Sequence, residues 1–454
     1  MENWPDSWKT LDHGLRSGRY TDPDFARVEY EKMWRHTWQM AARLDEIPEP
    51  GDFSVYEIGH ESVIVTRVDE DTIKVFNNAC PHRGTALAQG HGSFEKHRII
   101  CPFHGWRWNL EGANQYILEQ QQFREGKLRN EDANLKEITH VVYAGFVFIT
   151  FSSDPQPFDE FIAPVHDLIE GLAIGEMHHI WWKSVVAPAN WKVAVEAFLE
   201  GYHVPATHPQ LETQSADFIF GDDVSGQPPQ YAHLDHLYET FANGHGRFLG
   251  GEKTPMAGHT RTTPEQAVDA MADRLNLLVT GMDAMVLKED VELVRSLKGK
   301  PIPEGSSLGS EYVKALYAKA AAEQRPMPKL DREILNQWGG EIFIFPNLMI
   351  LPQAGNAMMY RVRPNGLDPD SCIFEIFSTK TYPAAQKPPR AEVQTMTDVS
   401  DPAQFLQIPR QDFHNIPLIQ KGLHTSGLKQ VWLADYYEKI ILNMHQEIDR
   451  YLTR

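Results

Sequence analysis

Cys80-Pro81-His82 and Cys101-Pro102-Phe103-His104 restrict this chain more than any other feature, with 18 residues between His82 and Cys101. Two of the three cysteines thus each precede a histidine, as C-x-H and C-x-x-H. Two thiolates and two imidazoles at these spacings can hold a Cys2His2 zinc ion. They can equally hold a [2Fe–2S] cluster with both thiolates on one iron and both imidazoles on the other. Pro81 and Pro102 stiffen the two loops, and Gly84 and Gly105 leave room for backbone N–H groups to approach sulfur. The flanks favour the cluster. Runs rich in β-branched and aromatic residues at 53–58, 63–68 and 72–76 are separated by Gly59-His60-Glu61 and Asp69-Glu70-Asp71, and the pattern continues through 98–101 to 141–151. Both half-motifs therefore fall in loops at strand ends, not on the helix of a zinc finger.

The three cysteines cannot staple a chain of 454 residues, which excludes a disulfide scaffold and fits a reducing compartment. A balance of 43 basic against 62 acidic residues, net −19, argues against a phosphate-bound nucleic-acid partner and against a polybasic membrane anchor. The run 141–151 is broken by Gly145 and is far short of the ~20 apolar residues of a membrane span. The first residues lack the basic-then-apolar layout of a signal peptide. The expectation is a soluble cytoplasmic protein.

Beyond the β region the pattern becomes mixed. A helical signal covers 158–174, a strand 179–186 and a helix 190–203. Thr263-Pro264-Glu265-Gln266 is a helix start, with Thr as cap, Pro at the first helical position and Gln closing a capping box. A helix is expected at 312–322. Strands are expected at 341–345, 348–351, 358–362 and 372–381, then a Pro-rich linker at 384–390 and a closing helix over 431–452. Cys372 reads as an ordinary core residue of its strand.

A second constellation lies in the mixed region. Glu200 and His203 share a face on the expected helix, Pro205 breaks that helix, and His208 follows from the loop behind it. Two histidines this close, with a carboxylate from elsewhere, make a 2-His-1-carboxylate site that suits non-haem Fe(II) and leaves positions open for O2. Taken alone, the pair fits core or hydrogen-bonded histidines as well.

Together, the two constellations resemble the large (α) subunit of Rieske non-haem iron oxygenases, the naphthalene and phthalate dioxygenase family, over nearly the whole chain. The resemblance implies an α+β fold: an all-β Rieske [2Fe–2S] domain (40–155) inserted in a catalytic domain (156–454) built on an antiparallel sheet surrounded by helices, with residues 1–39 packing on the latter. It implies that Cys80, His82, Cys101 and His104 hold the cluster and that His203 and His208 are iron ligands. The late aspartate of the family matches Asp412, within Gln411-Asp412-Phe413 and before Asn415, Pro417, Gln420, Lys421 and Gly422. Asp398 and Asp401 are weaker matches. Glu200 matches the acidic residue that links an iron-ligand histidine to a cluster histidine of the neighbouring subunit, which implies a ring-like homotrimer or a larger assembly. Three departures are visible. Glu replaces the Asp of naphthalene-type members, Ala197 stands where Asn is frequent, and the 18-residue gap is long.

The resemblance further implies a ferredoxin or flavin reductase that delivers electrons from NAD(P)H, with or without a small β subunit. It implies O2 and a small organic substrate in an apolar pocket. Phe218, Phe220, Phe343, Phe345, Asn347, Leu348, Ile408 and Phe413 are candidate walls, and Arg83 and Trp106 flank the cluster. The leading expectation is cis-dihydroxylation of an aromatic substrate. The alternatives are a monooxygenase or O- or N-demethylase of the same family, and a Rieske electron carrier without oxygenase chemistry.

Overall fold

The computed structural model describes residues 4–211, 236–250, 263–329, 340–386, 388 and 390–454. An α+β architecture with a small β domain near the start is what it contains. A four-stranded sheet runs in the order Ile73–Asn77, Glu61–Arg67, Asp52–Ile58, His91–Ser93. A three-stranded sheet, Asn114–Tyr116, Arg107–Asn109, Arg98–Ile100, carries the second half-motif at its edge. Between them lies a separate small core that includes Ile64, Phe76, Cys80, Cys101, Trp106 and Trp108.

The run 141–151 is not one strand. It splits into the hairpin Thr139–Tyr143 and Phe146–Thr150, because Ala144 and Gly145 both take positive φ and reverse the chain. Phe146–Thr150 also pairs with Gln39–Arg43, so this third sheet forms the base of the β domain.

The larger region is organised by one eight-stranded sheet. Its order is His236–Thr240, Gly246–Gly250, Glu341–Ile344, Leu348–Pro352, Asn356–Pro364, Cys372–Lys380, His178–Ala187, Val393–Met396. All pairings are antiparallel except the last, which is parallel and so departs from the wholly antiparallel expectation. Side chains alternate between faces. Phe343, Met358, Tyr360, Val362, Phe374 and Ile376 join one core, with Val193, Leu199, Ile408 and Phe413 of the covering segments. Ile342, Ile344, Leu348, Met359 and Phe377 join another, with Met40, Phe146, Phe148 and Phe158. One face thus belongs to the helices that carry the second constellation, and the other to the base of the β domain.

The helix expected over 190–203 stops at Glu196. Its start is capped by the Asn190 side chain, which accepts from the Lys192 N–H. Past Leu199 the backbone turns, and the Glu200 carboxylate accepts the His203 N–H at 2.9 Å, a local bond that competes with the helix. Pro205 does not break a helix. It sits in the first turn of a new short one, Val204–Thr207, where its missing N–H is no loss. The capping box at Thr263 opens the helix Pro264–Met282 as expected. The closing segment is shorter as a helix than expected: Gln430–Trp432 is a strand, paired with Gly14–Arg16, and the helix is Lys439–Leu452. Among the described residues no helix is long and apolar enough to cross a membrane.

Candidate metal centres

Each cluster half-motif is the same turn made twice. The Cys80 N–H donates to the Thr85 carbonyl at 2.9 Å and the Gly84 N–H to the Cys80 carbonyl at 2.8 Å. In the second loop the Cys101 N–H donates to Trp106 at 2.9 Å and the Gly105 N–H to Cys101 at 3.0 Å. Gly84 (φ 77°) and Gly105 (φ 70°) are there for this left-handed turn. A Cβ at either would meet nothing within 4 Å, so the expected role of leaving room for N–H groups is corrected. The N–H groups that do point at sulfur are those of His82 and Arg83, toward Cys80. Asn78 braces the first loop: its carbonyl oxygen accepts from Leu87 and Ala88 N–H, and its amide donates to the Ala88 carbonyl.

Both cysteines are buried and unpaired as disulfides, whereas both histidines are half-buried. Their Nδ1 atoms face one another at 3.1 Å. Facing imidazole nitrogens beside two adjacent thiols are the donor set of a two-thiolate, two-imidazole [2Fe–2S] cluster, with the histidine edge outward. Trp106 lies flat on His82, at 4.9 Å between centroids and 8° between planes, and so fixes that ring. Arg83 instead covers the exposed Phe103 ring.

The second constellation converges. His203, His208 and Asp412 each offer a ligand atom, all within 4.8 Å of one another. Asp412 projects from the helix Gln407–Leu423, with Oδ1 at 2.8 Å from His208 Nε2 and 3.7 Å from His203 Nε2. The other ring nitrogens are held from behind. His203 Nδ1–H donates to Glu200 Oε1 at 2.7 Å, and His208 Nδ1–H to Gln411 Oε1 at 3.0 Å. These contacts suit rings protonated at Nδ1, whose Nε2 atoms would then be the ones offered to a metal beside Asp412. Burial alone would lower the His203 pKa, but Glu200 and Asp412 outweigh it and raise it. The donor set fits a ferrous ion.

Gln411 was not singled out from the sequence. It exchanges amide hydrogen bonds with Gln210, at 2.6 and 3.2 Å, which locks the carbonyl that His208 needs. Its adjacency to Asp412 was the available signal.

The expected pocket residues separate. Phe343 and Phe413 face the same core as the triad, with Phe413 against Phe374. Ile408 belongs to that core and also lines a cleft of about 380 Å³ between the Asp412 helix and Pro264–Met282. A second cleft, about 440 Å³, lies on the other flank beside Thr207, Gln411 and Asn415. Phe345 joins the same core as Phe343, stacked on Tyr451 and edge-on to Phe343. Leu348 points to the opposite face of the sheet. Asn347 is corrected from pocket wall to domain joint: its amide pairs with both backbone groups of Met40 at 3.0 Å and reaches the Tyr56 hydroxyl. A buried amide needs partners, and the base strand of the β domain supplies them. Phe218 and Phe220 lie outside the described residues.

Comparison with known proteins agrees with both centres. The family description "Rieske [2Fe-2S] domain" matches residues 37–130, and "Ring hydroxylating alpha subunit (catalytic domain)" matches 174–454. The glycine betaine monooxygenase oxygenase subunit of Chromohalobacter salexigens is 29% identical over 218 residues, 48% of this chain and 48% of that one. The carnitine monooxygenase oxygenase subunit of Acinetobacter pittii is 29% identical over 253 residues, 54% of this chain and 62% of that one. The chain thus spans about half to three-fifths of the length of these curated relatives. Among solved structures, naphthalene 1,2-dioxygenase from Rhodococcus sp. bound to indole superposes with a TM-score of 0.63 at 18% identity, covering 97% of this chain and 94% of that one. A quaternary ammonium Rieske monooxygenase with L-carnitine gives 0.62 at 17% identity, covering 97% and 95%. At these identities the structural likeness is one of fold. The family match covers more than half of the chain, and the chain belongs to the Rieske-domain ring hydroxylating alpha subunits.

Proposed function

We propose that the chain is the terminal oxygenase component of a Rieske monooxygenase system acting on a quaternary ammonium compound. The observation that carries the oxygenase reading is the convergence of His203, His208 and Asp412 on one point. The likeness to oxygenase subunits named for glycine betaine and carnitine turns the reading from aromatic cis-dihydroxylation to single-carbon monooxygenation. That is the monooxygenase or demethylase alternative of the sequence reading.

Cys80, His82, Cys101 and His104 would hold a [2Fe–2S] cluster and His203, His208 and Asp412 a ferrous ion, which when bound supply one-electron delivery and O2 activation. The protein does the positioning. Gln411 keeps His208 Nδ1 protonated, so that Nε2 is free as a donor. Glu200 does the same for His203 and presents a carboxylate beside a half-buried ring. In a ring of three chains Glu200 is the residue that would meet the outward histidine edge of a neighbour's cluster. A ferredoxin or flavin reductase would feed that cluster from NAD(P)H.

The overall conversion takes O2, two electrons and two protons, turns one C–H beside the cationic nitrogen into C–OH, and releases water. The cationic carbinol then breaks its C–N bond and loses its hydroxyl proton, giving a tertiary amine, an aldehyde and H+. The test is to supply a reductase and offer glycine betaine, L-carnitine and naphthalene in turn. Amine and aldehyde release from a quaternary substrate, lost in Asp412→Ala with the cluster absorption intact, is expected. A cis-diol from naphthalene with no turnover of either quaternary compound would overturn the substrate reading.

A further inference from the structure

One buried carboxyl near the triad has no work in the scheme above. Glu341 opens the strand Glu341–Ile344 and is only 3% exposed, yet its Oε1 has no hydrogen-bond partner. Among the described residues no Lys or Arg pairs with it. Burying an unpaired carboxyl is expensive, and such a group in a native fold calls for an explanation.

Its place in the sheet supplies one. Glu341 is two residues before Phe343, so it shares the face that carries the triad core. On one side it is paired with Phe248, whose ring contacts Tyr238. The Tyr238 hydroxyl in turn accepts the Gly201 N–H, next to Glu200. On the other side, beyond Leu351, lies Met358, and the Tyr360 hydroxyl reaches the Met358 sulfur. Phe198, two residues before Glu200, packs on the Tyr360 ring at 4.4 Å between centroids. Glu341 is therefore flanked in the sheet by Phe248 on one side and by Leu351 and Met358 on the other, with Tyr238 and Tyr360 leading on to the Glu200–His203 segment.

The electrostatics agree with this placement. Burial pushes the Glu341 carboxyl well above the ordinary range, and the Glu200 charge pushes it further. Burial likewise raises the Tyr360 phenol, and the Glu341 and Asp412 carboxylates push it the same way. A core region that holds an unmatched acidic group and several rings is poorly suited to a neutral hydrocarbon. It suits a cation that cannot donate hydrogen bonds, because ring faces and a carboxylate both attract such a charge.

We infer that Glu341 is the acidic partner of the substrate's quaternary ammonium group, a carboxyl that gives up its proton as the cation binds. This rests on the proposed substrate class and assigns its recognition to one side chain.

The test measures binding, not turnover, on iron-loaded full-length protein by calorimetry. The probes are glycine betaine and choline, each against its carbon-for-nitrogen isostere, tert-butylacetate and tert-butylethanol. The wild type is expected to prefer each cation over its isostere. Glu341→Gln is expected to weaken cation binding roughly 30-fold or more, the scale for removing one partner of a buried charge pair. Isostere binding, iron content and cluster absorption should stay as they were, and Glu341→Asp should keep the preference for cations. If the wild type prefers cations and Glu341→Gln does too, the role of Glu341 fails while the substrate class stands. If the wild type binds isosteres as well as cations, both fail. If Glu341→Gln and Glu341→Asp both lose iron, or both weaken cation and isostere alike, the residue is structural and the inference is overturned.

Discussion

At the scale of single residues, the centre depends on side chains that touch no ligand position. Gln411 is the clearest case. Its carbonyl takes the His208 Nδ1–H, and Gln210 holds it in place. Gln411→Leu is expected to leave the cluster intact while weakening the mononuclear iron about 10–100-fold, the usual effect of removing such a supporting bond. Iron retention against a graded chelator, with the cluster absorption as internal reference, would read this. An unchanged iron affinity would mean that Asp412 and the helix alone orient His208. The candidate ligands could be singled out because few residue types bind iron and the half-motifs are short. Asp412 was legible only by resemblance, since it reaches His208 from a distant helix. Gln411 was invisible because one glutamine among many carries no signal until the fold brings it to a histidine. Asn347 was misread for a related reason: a polar residue amid Phe345 and Leu348 looks like a pocket contact, yet its partners lie on a strand far away in the chain.

At the scale of elements, the two cluster turns share one hydrogen-bond pattern, and each depends on a left-handed glycine. Gly105→Ala is expected to destabilise its loop by about 1–2 kcal/mol, from the backbone alone, since the new Cβ has open space around it. Gly105→Asn should recover part of this, because Asn tolerates the left-handed region. The readout is the rate at which cluster absorption is lost on warming. Equal loss in Ala and Asn would point to sterics instead. Most strands were visible from β-branched alternation, and the helix at Thr263 from its capping box. What was not visible was local competition. Apolar spacing carried the helix at 190 too far, because nothing in that spacing reveals that the Glu200 carboxylate claims the His203 N–H. The hairpin within 141–151 was missed because its reversal needs only Ala144 and Gly145.

At the scale of the molecule, the β domain is clamped to the large sheet by a buried ionic joint. Glu375 receives Arg361 through both oxygens at 2.7 and 2.8 Å and is also paired with Arg363, while Arg361 reaches Glu46 at 3.4 Å. Burial by itself would raise the Glu375 pKa, but Arg361 and Arg363 outweigh it and hold it at about 2, below its ordinary 4.5. A depressed carboxyl stabilises the fold fully above its unfolded value, and that stabilisation is lost as the pH falls through the folded one. Glu375→Gln is therefore expected to cost about 3–5 kcal/mol at pH 7, the scale of breaking a buried pair. The gap between variant and wild type should shrink from pH 4.5 down toward 2. Urea unfolding at neutral and acidic pH would show it, and a gap independent of pH would mean that the joint is not ionic.

The strand Asn356–Pro364 carries this joint and part of the triad core on alternate residues. Met358, Tyr360 and Val362 face the triad core, whereas Arg361 and Arg363 face Glu375 and the β domain. Parity along one strand thus gives substitutions two different consequences: those at 358, 360 and 362 fall on the triad core, whereas those at 361 and 363 fall on the seam with the β domain.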